Sequence, residues 1–194
     1  MTSARISGFS DPVHESQAVY RIILRAMSQS GVPVDLSTTC APPPPLTQTM
    51  GALALTLFDG RTPVWLAPGI NAEPVRSFLE LRTGASIADD ARDADFILTG
   101  AADELTLAGF RSGNVFAPHT AATLIIGVPS LVSGRPVRLA GPGIADTVQL
   151  NAAGLDERFW EQWDANASGY PCGIDVLLVD GGSVCGLPRT TRRV

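Results

Sequence analysis

The chain has 194 residues, 45% hydrophobic and 17% charged, with a formal net charge of −5 at pH 7. That length suits a single α/β domain over residues 1–194, with a core that buries about 70% of the unfolded surface. The acidic balance excludes non-specific nucleic-acid binding through basic patches.

Asp11-Pro12 opens the first predicted element, because Asp caps a helix and Pro suits its first position. Val19, Ile22, Ile23, Ala26 and Met27 then recur at helical spacing, and Gly31 marks the stop. Val32 to Leu36 reads as a short strand. Pro42 to Pro45 reads as a stiff connector, either a rigid surface loop or a polyproline ligand for a partner. Leu46 to Phe58 is an apolar helix closed by Asp59-Gly60, and Thr62 to Leu66 a strand closed by Pro68-Gly69. A helix (Glu73 to Arg82), a strand (Phe96 to Thr99) and a short helix (Ala101 to Leu107) follow. Thr123 to Val128 and Val137 to Ala140 are β-rich, Leu155 to Asn166 is helical, and Ile174 to Val179 reads as a buried strand. Asp180-Gly181-Gly182 turns that strand back into Ser183 to Leu187 as a hairpin. The mixture predicts an α/β fold with one mixed β-sheet flanked by helices.

The most apolar stretch, Thr123 to Val132, is broken by Pro129, and no run approaches the roughly 20 residues a membrane span needs. Met1 to Ser10 has one Arg and no apolar core, so it does not read as a secretory signal. Mean hydropathy is nevertheless +0.18, which leaves two readings: a well-filled core, or apolar surface kept for a partner. Three widely spaced cysteines, Cys40, Cys172 and Cys185, argue against a disulfide framework and for a reducing cytoplasm.

Catalytic equipment is hard to find. All 14 basic residues are Arg, so neither a Walker-type phosphate loop nor a pyridoxal phosphate Schiff base can be built. Gly141-Pro142-Gly143 lacks the third glycine of a dinucleotide loop and reads as a tight turn. His14 and His119 are over 100 residues apart, and no Cys or His pair has metal-ligand spacing. No Gly-x-Ser-x-Gly elbow occurs, and the thiols beside apolar strands read as inert. The expectation is therefore no catalytic residue, no cofactor and no metal. Asp175, heading a buried strand, needs a partner, and an ion pair or cap is the preferred reading over catalysis. Arg189, Thr190 and Thr191 form the last polar cluster before Arg192-Arg193. They suit a phosphate clamp, a partner contact or a solvated terminus, with Arg21 as a further candidate.

Several motifs taken in order resemble one family. They are Tyr20-Arg21 with Ala26-Met27-Ser28, Thr62-Pro63-Val64-Trp65-Leu66, Ala117-Pro118-His119 before Ala122-Thr123-Leu124, Gly143-Ile144-Ala145, Tyr170-Pro171-Cys172-Gly173-Ile174-Asp175, and Leu187-Pro188-Arg189-Thr190-Thr191. Over about residues 8 to 192 the pattern resembles the H-type subunit of the bacterial carbon–phosphorus lyase system. The resemblance implies a non-catalytic subunit working with G-, I- and J-type subunits in organic phosphonate catabolism. That complex forms ribose 1-phosphonate 5-triphosphate from a nucleoside triphosphate and a phosphonate. It also implies a homodimer in isolation and a fold related to pyridoxal phosphate transferases without their cofactor site. The alternative is that the chain adds a phosphate- or nucleotide-binding surface to that transfer; an independent phosphonate-processing enzyme is a third reading. His119 stands where relatives usually carry Glu, and Cys172 where Leu is common.

Overall fold

The computed structural model describes residues 6–101 and 103–194. Four helices are built as the sequence suggests: α1 (Pro12–Ser28), α2 (Gln48–Leu57), α3 (Glu73–Thr83) and α4 (Glu157–Ser168). Side chains of Asp11, Thr47 and Asp156 accept amides of the first turns of α1, α2 and α4, satisfying donors that a helix start leaves open. Gly84, at φ 75°, closes α3.

The strands are β1 (Val34–Asp35), β2 (Pro63–Leu66), β3 (Ser86–Ile87), β4 (Phe96–Gly100), β5 (Thr123–Gly127), β6 (Val137–Ala140), β7 (Val148–Leu150), β8 (Asp175–Val179), β9 (Ser183–Leu187) and β10 (Arg192–Arg193). Seven of them make a mixed sheet in the order β1-β9-β8-β5-β4-β2-β3. β3, β2, β4, β5 and β8 run parallel; β9 opposes both β8 and β1. A second, three-stranded sheet has the order β10-β6-β7.

Both faces of the large sheet are covered, which is why its central strands are almost wholly apolar. Side chains alternate between two cores. Leu98, Ile125, Leu177 and Val184 meet α1, α2 and α3 on one face. Ile97, Leu124, Ile126, Val176 and Leu178 meet Phe159, Trp160 and Trp163 of α4 on the other, where Leu139 and Leu150 of the small sheet join them. Each such side chain contributes about 1.5–3 kcal/mol on burial. Gly186 lets α1 lie against β9, since a Cβ there would sit 2.6 Å from the carbonyl oxygen of Ala26.

The α/β class, the mixed sheet and the closing hairpin agree with the sequence reading. The helix expected over 101–107 does not form. Asp103 instead bends the chain, its carboxylate accepting the amides of Gly69 and Gly100 and the hydroxyl of Thr99; Ala102 lies outside the described residues. A 3-10 turn appears later, at Leu107–Gly109. The strand expected over Val32 to Leu36 shrinks to two residues. The C-terminus is not frayed: Arg192 and Arg193 pair with Ala140 and Leu139 of β6.

Candidate functional site

β9 returns antiparallel to β8, so Leu187 lies opposite Val176 and Arg189 arrives beside the start of β8. There the Arg189 amide donates to Asp175 Oδ1 at 2.7 Å, Nε to the same oxygen at 3.2 Å, and Nη2 to Oδ2 at 2.6 Å. Nη1 donates to the carbonyls of Pro118 at 2.7 Å and Pro171 at 3.4 Å. The Arg189 and Asp175 side chains are only 14% and 22% exposed. A forked guanidinium in this setting favours planar, bidentate pairing and anchors whatever else it touches. What it touches here is the protein's own backbone.

The other sequence candidates are not gathered into a ligand cradle. Thr190 is half-buried. Thr191 is fully buried, and its hydroxyl has no protein partner; its carbonyl accepts the indole N–H of Trp163. Arg21 stands on the exposed side of α1. Asp175 takes the ion-pair role that the sequence favoured.

Arg189 instead joins two loops. The first runs from Arg111 to Ala121. Asn114 Oδ1 accepts the amides of Phe116 and Ala117, and Arg111 holds the Thr120 carbonyl and pairs with Asp95. The second, Gly169 to Gly173, is tied to the first by the Gly173 amide on the Ser112 carbonyl at 2.8 Å. Asn166 fixes its exit by bonding both backbone groups of Ile174. On these tied loops Phe116 is 98% exposed, Val115 68% and Tyr170 61%. A groove of about 320 Å³ runs along the second loop, with Leu107, Phe110, Ala165, Cys172 and Gly173 in its walls. The sequence reading missed Phe116 and Tyr170. The signal for Phe116 was a pair of apolar residues, Val115-Phe116, inside the turn-rich run from Ser112 to Pro118; Tyr170 entered only as part of a family motif.

The opposite end of the strands carries the location where open α/β sheets usually bind ligands, outside the carboxyl ends of parallel strands where the connections diverge. After β2 the chain crosses to α3 on one face; after β4 it crosses to the other. A cleft of about 200 Å³ lies there, lined by Ala101, Asp103, Glu104, Gly154, Asp156 and Arg158. Asp103 is occupied with the three hydrogen bonds that join the two strand ends, which makes it a loop tie.

Other candidates have local explanations. Gly141 to Ile144 is a turn locked onto the end of α1: the Ser30 amide donates to the Pro142 carbonyl, and a Cβ on Gly143 would sit 2.0 Å from the Ser28 oxygen. His14 is exposed and bonded to Asp11. Burial pushes the Cys40 thiol up to about 11 and that of Cys185 to about 12. Cys172 differs from the expected buried filler, being half-buried at the groove. Among the described residues, no group of three or more His, Cys, Asp or Glu could hold a metal ion, and no helix is long and apolar enough to cross a membrane.

A family described as bacterial phosphonate metabolism protein (PhnH) matches residues 7–194. The chain is 36% identical over 190 residues, 95% of its length and 92% of the relative's, to the alpha-D-ribose 1-methylphosphonate 5-triphosphate synthase subunit PhnH of Rhizobium meliloti (strain 1021). It is 37% identical over 101 residues, half of each chain, to HtxG of Stutzerimonas stutzeri, named as a candidate C-P lyase subunit protein. The chain therefore belongs to the PhnH family of bacterial phosphonate metabolism proteins.

Proposed function

We propose that the chain is a non-catalytic subunit of the carbon–phosphorus lyase assembly, acting in the cytoplasm with G-, I- and J-type subunits. In that role it supports formation of ribose 1-phosphonate 5-triphosphate from a nucleoside triphosphate and a phosphonate. The observation that carries the reading is the pinned, almost fully exposed Phe116 in a chain whose whole-length relative is itself named as a synthase subunit. A large aromatic side chain held in water by a rigid loop is costly in isolation and useful at an interface. A fold related to pyridoxal phosphate transferases without their cofactor site belongs to the same proposal, and the absence of lysine is compatible with it. A homodimer of the isolated chain belongs to the same proposal.

Co-expression with the G-, I- and J-type subunits tests it. A stable co-purifying assembly is expected; a chain that stays apart from all three overturns the reading. Replacing Arg189 separates the two roles open to that residue. Its engaged donors favour a structural role, so Arg189→Ala should impair assembly. Intact assembly with lost turnover would instead support a phosphate-binding surface at Arg189, Thr190, Thr191 and Arg21.

A further inference from the structure

We infer that the paired loops 111–121 and 169–173, with the groove beside them, are the docking surface for a partner subunit, which inserts an uncharged apolar segment there. The inference rests on the subunit reading and assigns the contact to particular residues.

Three observations carry it. The loops are preorganised. Pro118 and Pro171, whose carbonyls share one guanidinium nitrogen, lie two residues after Phe116 and one after Tyr170, and Asn114 fixes the turn into Phe116. A surface ordered before binding loses little conformational entropy on association. Charge is cancelled locally: Arg189 is paired with Asp175 and Arg111 with Asp95. On a chain of net charge −5, this neutral aromatic surface complements an apolar segment without charges of its own. Finally, the area implies insertion. Two exposed aromatics supply about 300–500 Å², against roughly 800 Å² per partner in a standard interface. Stable docking therefore needs the adjoining groove of about 320 Å³ to be filled as well. An inserted partner segment supplies both contacts at once.

The test co-expresses the G-, I- and J-type subunits with the wild-type chain, the double variant Phe116→Ser/Tyr170→Ser, and a control, Leu81→Ser, which changes an exposed apolar residue on α3. The double variant should lose at least tenfold of the co-purified partner while keeping its circular dichroism and melting temperature. The control should retain partner like the wild type. In the wild-type assembly, alkylation of Cys172 by iodoacetamide should slow at least tenfold relative to the isolated chain, because the groove is filled. Undiminished co-purification of the folded double variant overturns the docking surface and leaves the subunit reading standing. So does a double variant that only converts a dimer of the isolated chain to monomer, which would assign the surface to a second copy. A wild-type chain that captures no partner overturns both.

Discussion

The indole N–H of Trp163 donates to the carbonyl of Thr191 at 3.1 Å, and both residues are fully buried. This bond couples α4 to the segment between β9 and β10, so the C-terminal residues depend on the second core. Trp163→Phe removes the donor, strands a buried carbonyl and opens space beside Phe159, whose ring stacks on Trp163. A loss of about 2–4 kcal/mol is expected, to be measured by urea denaturation.

Asp175 and Arg189 form the second long-range tie. Breaking a largely buried pair leaves one charge uncompensated, so Arg189→Ala should cost about 2–4 kcal/mol. Asp175→Leu/Arg189→Met removes both charges and should recover most of that loss. A double variant no more stable than Arg189→Ala would show that the carbonyl contacts to Pro118 and Pro171, and not the ion pair, hold the site. Thermal denaturation of the wild type, Asp175→Leu, Arg189→Met and the double variant reads the coupling.

The cysteines should separate by reactivity. Burial holds the thiols of Cys40 and Cys185 protonated well above neutral pH, at about 11 and about 12, and a thiol without its anion is a poor nucleophile. Cys172 is half-exposed at the groove. In the native isolated chain at pH 8, iodoacetamide should modify Cys172 first, with Cys40 and Cys185 labelled only after denaturation. Peptide mass spectrometry gives the order, and early labelling of Cys185 would contradict its burial.

Glu15 makes stability fall on the acid side. The Asp11 amide, with the hydroxyl and amide of Thr39 and the amide of Ser10, holds its carboxyl below the ordinary value of 4.5, against an opposing desolvation. A depressed folded-state value means that the stabilisation is complete above pH 4.5 and is lost as pH falls through the folded value. Glu15→Gln should therefore flatten the acid limb of the melting-temperature profile below about pH 4.5. Parallel profiles for variant and wild type would remove Glu15 from the account. Asp90, held at about 2 mainly by the Arg92 side chain, contributes lower on the same limb.

Much of the fold was legible in sequence where local chemistry and burial agree. Asp11, Pro12 and the apolar spacing from Val19 to Met27 place α1 within a residue or two, because capping and periodicity are local. The β8–β9 hairpin was legible from Asp180-Gly181-Gly182, where the Asp180 carboxylate accepts the amides of Gly182 and Ser183. The failures share a cause. Two-residue strands such as β3 and β10 carry no periodicity and exist only because a neighbour pairs with them. The run after β4 looked helical until Gly69, 34 positions before Asp103, entered the hydrogen bonding of its carboxylate.

At the candidate site, residue types were readable and partners were not. The sequence by itself determined that no lysine chemistry is available, that Ile174 to Val179 is a buried strand, and that Asp175 needs a partner. It also marked Arg189 as a cation with something to hold. Only the tertiary structure decided what that is. The antiparallel return of β9 brings Arg189 to Asp175, and the crossovers bring two proline carbonyls, 53 residues apart in sequence, to one guanidinium. Spacing along a chain encodes neighbours within a turn of helix or a hairpin. Contacts across a sheet depend on strand order, which arises from burying all the apolar faces together. For that reason Arg189, for which the sequence left a clamp, a partner contact and a solvated terminus open, bonds its own loops, which present Phe116 and Tyr170 to the solvent.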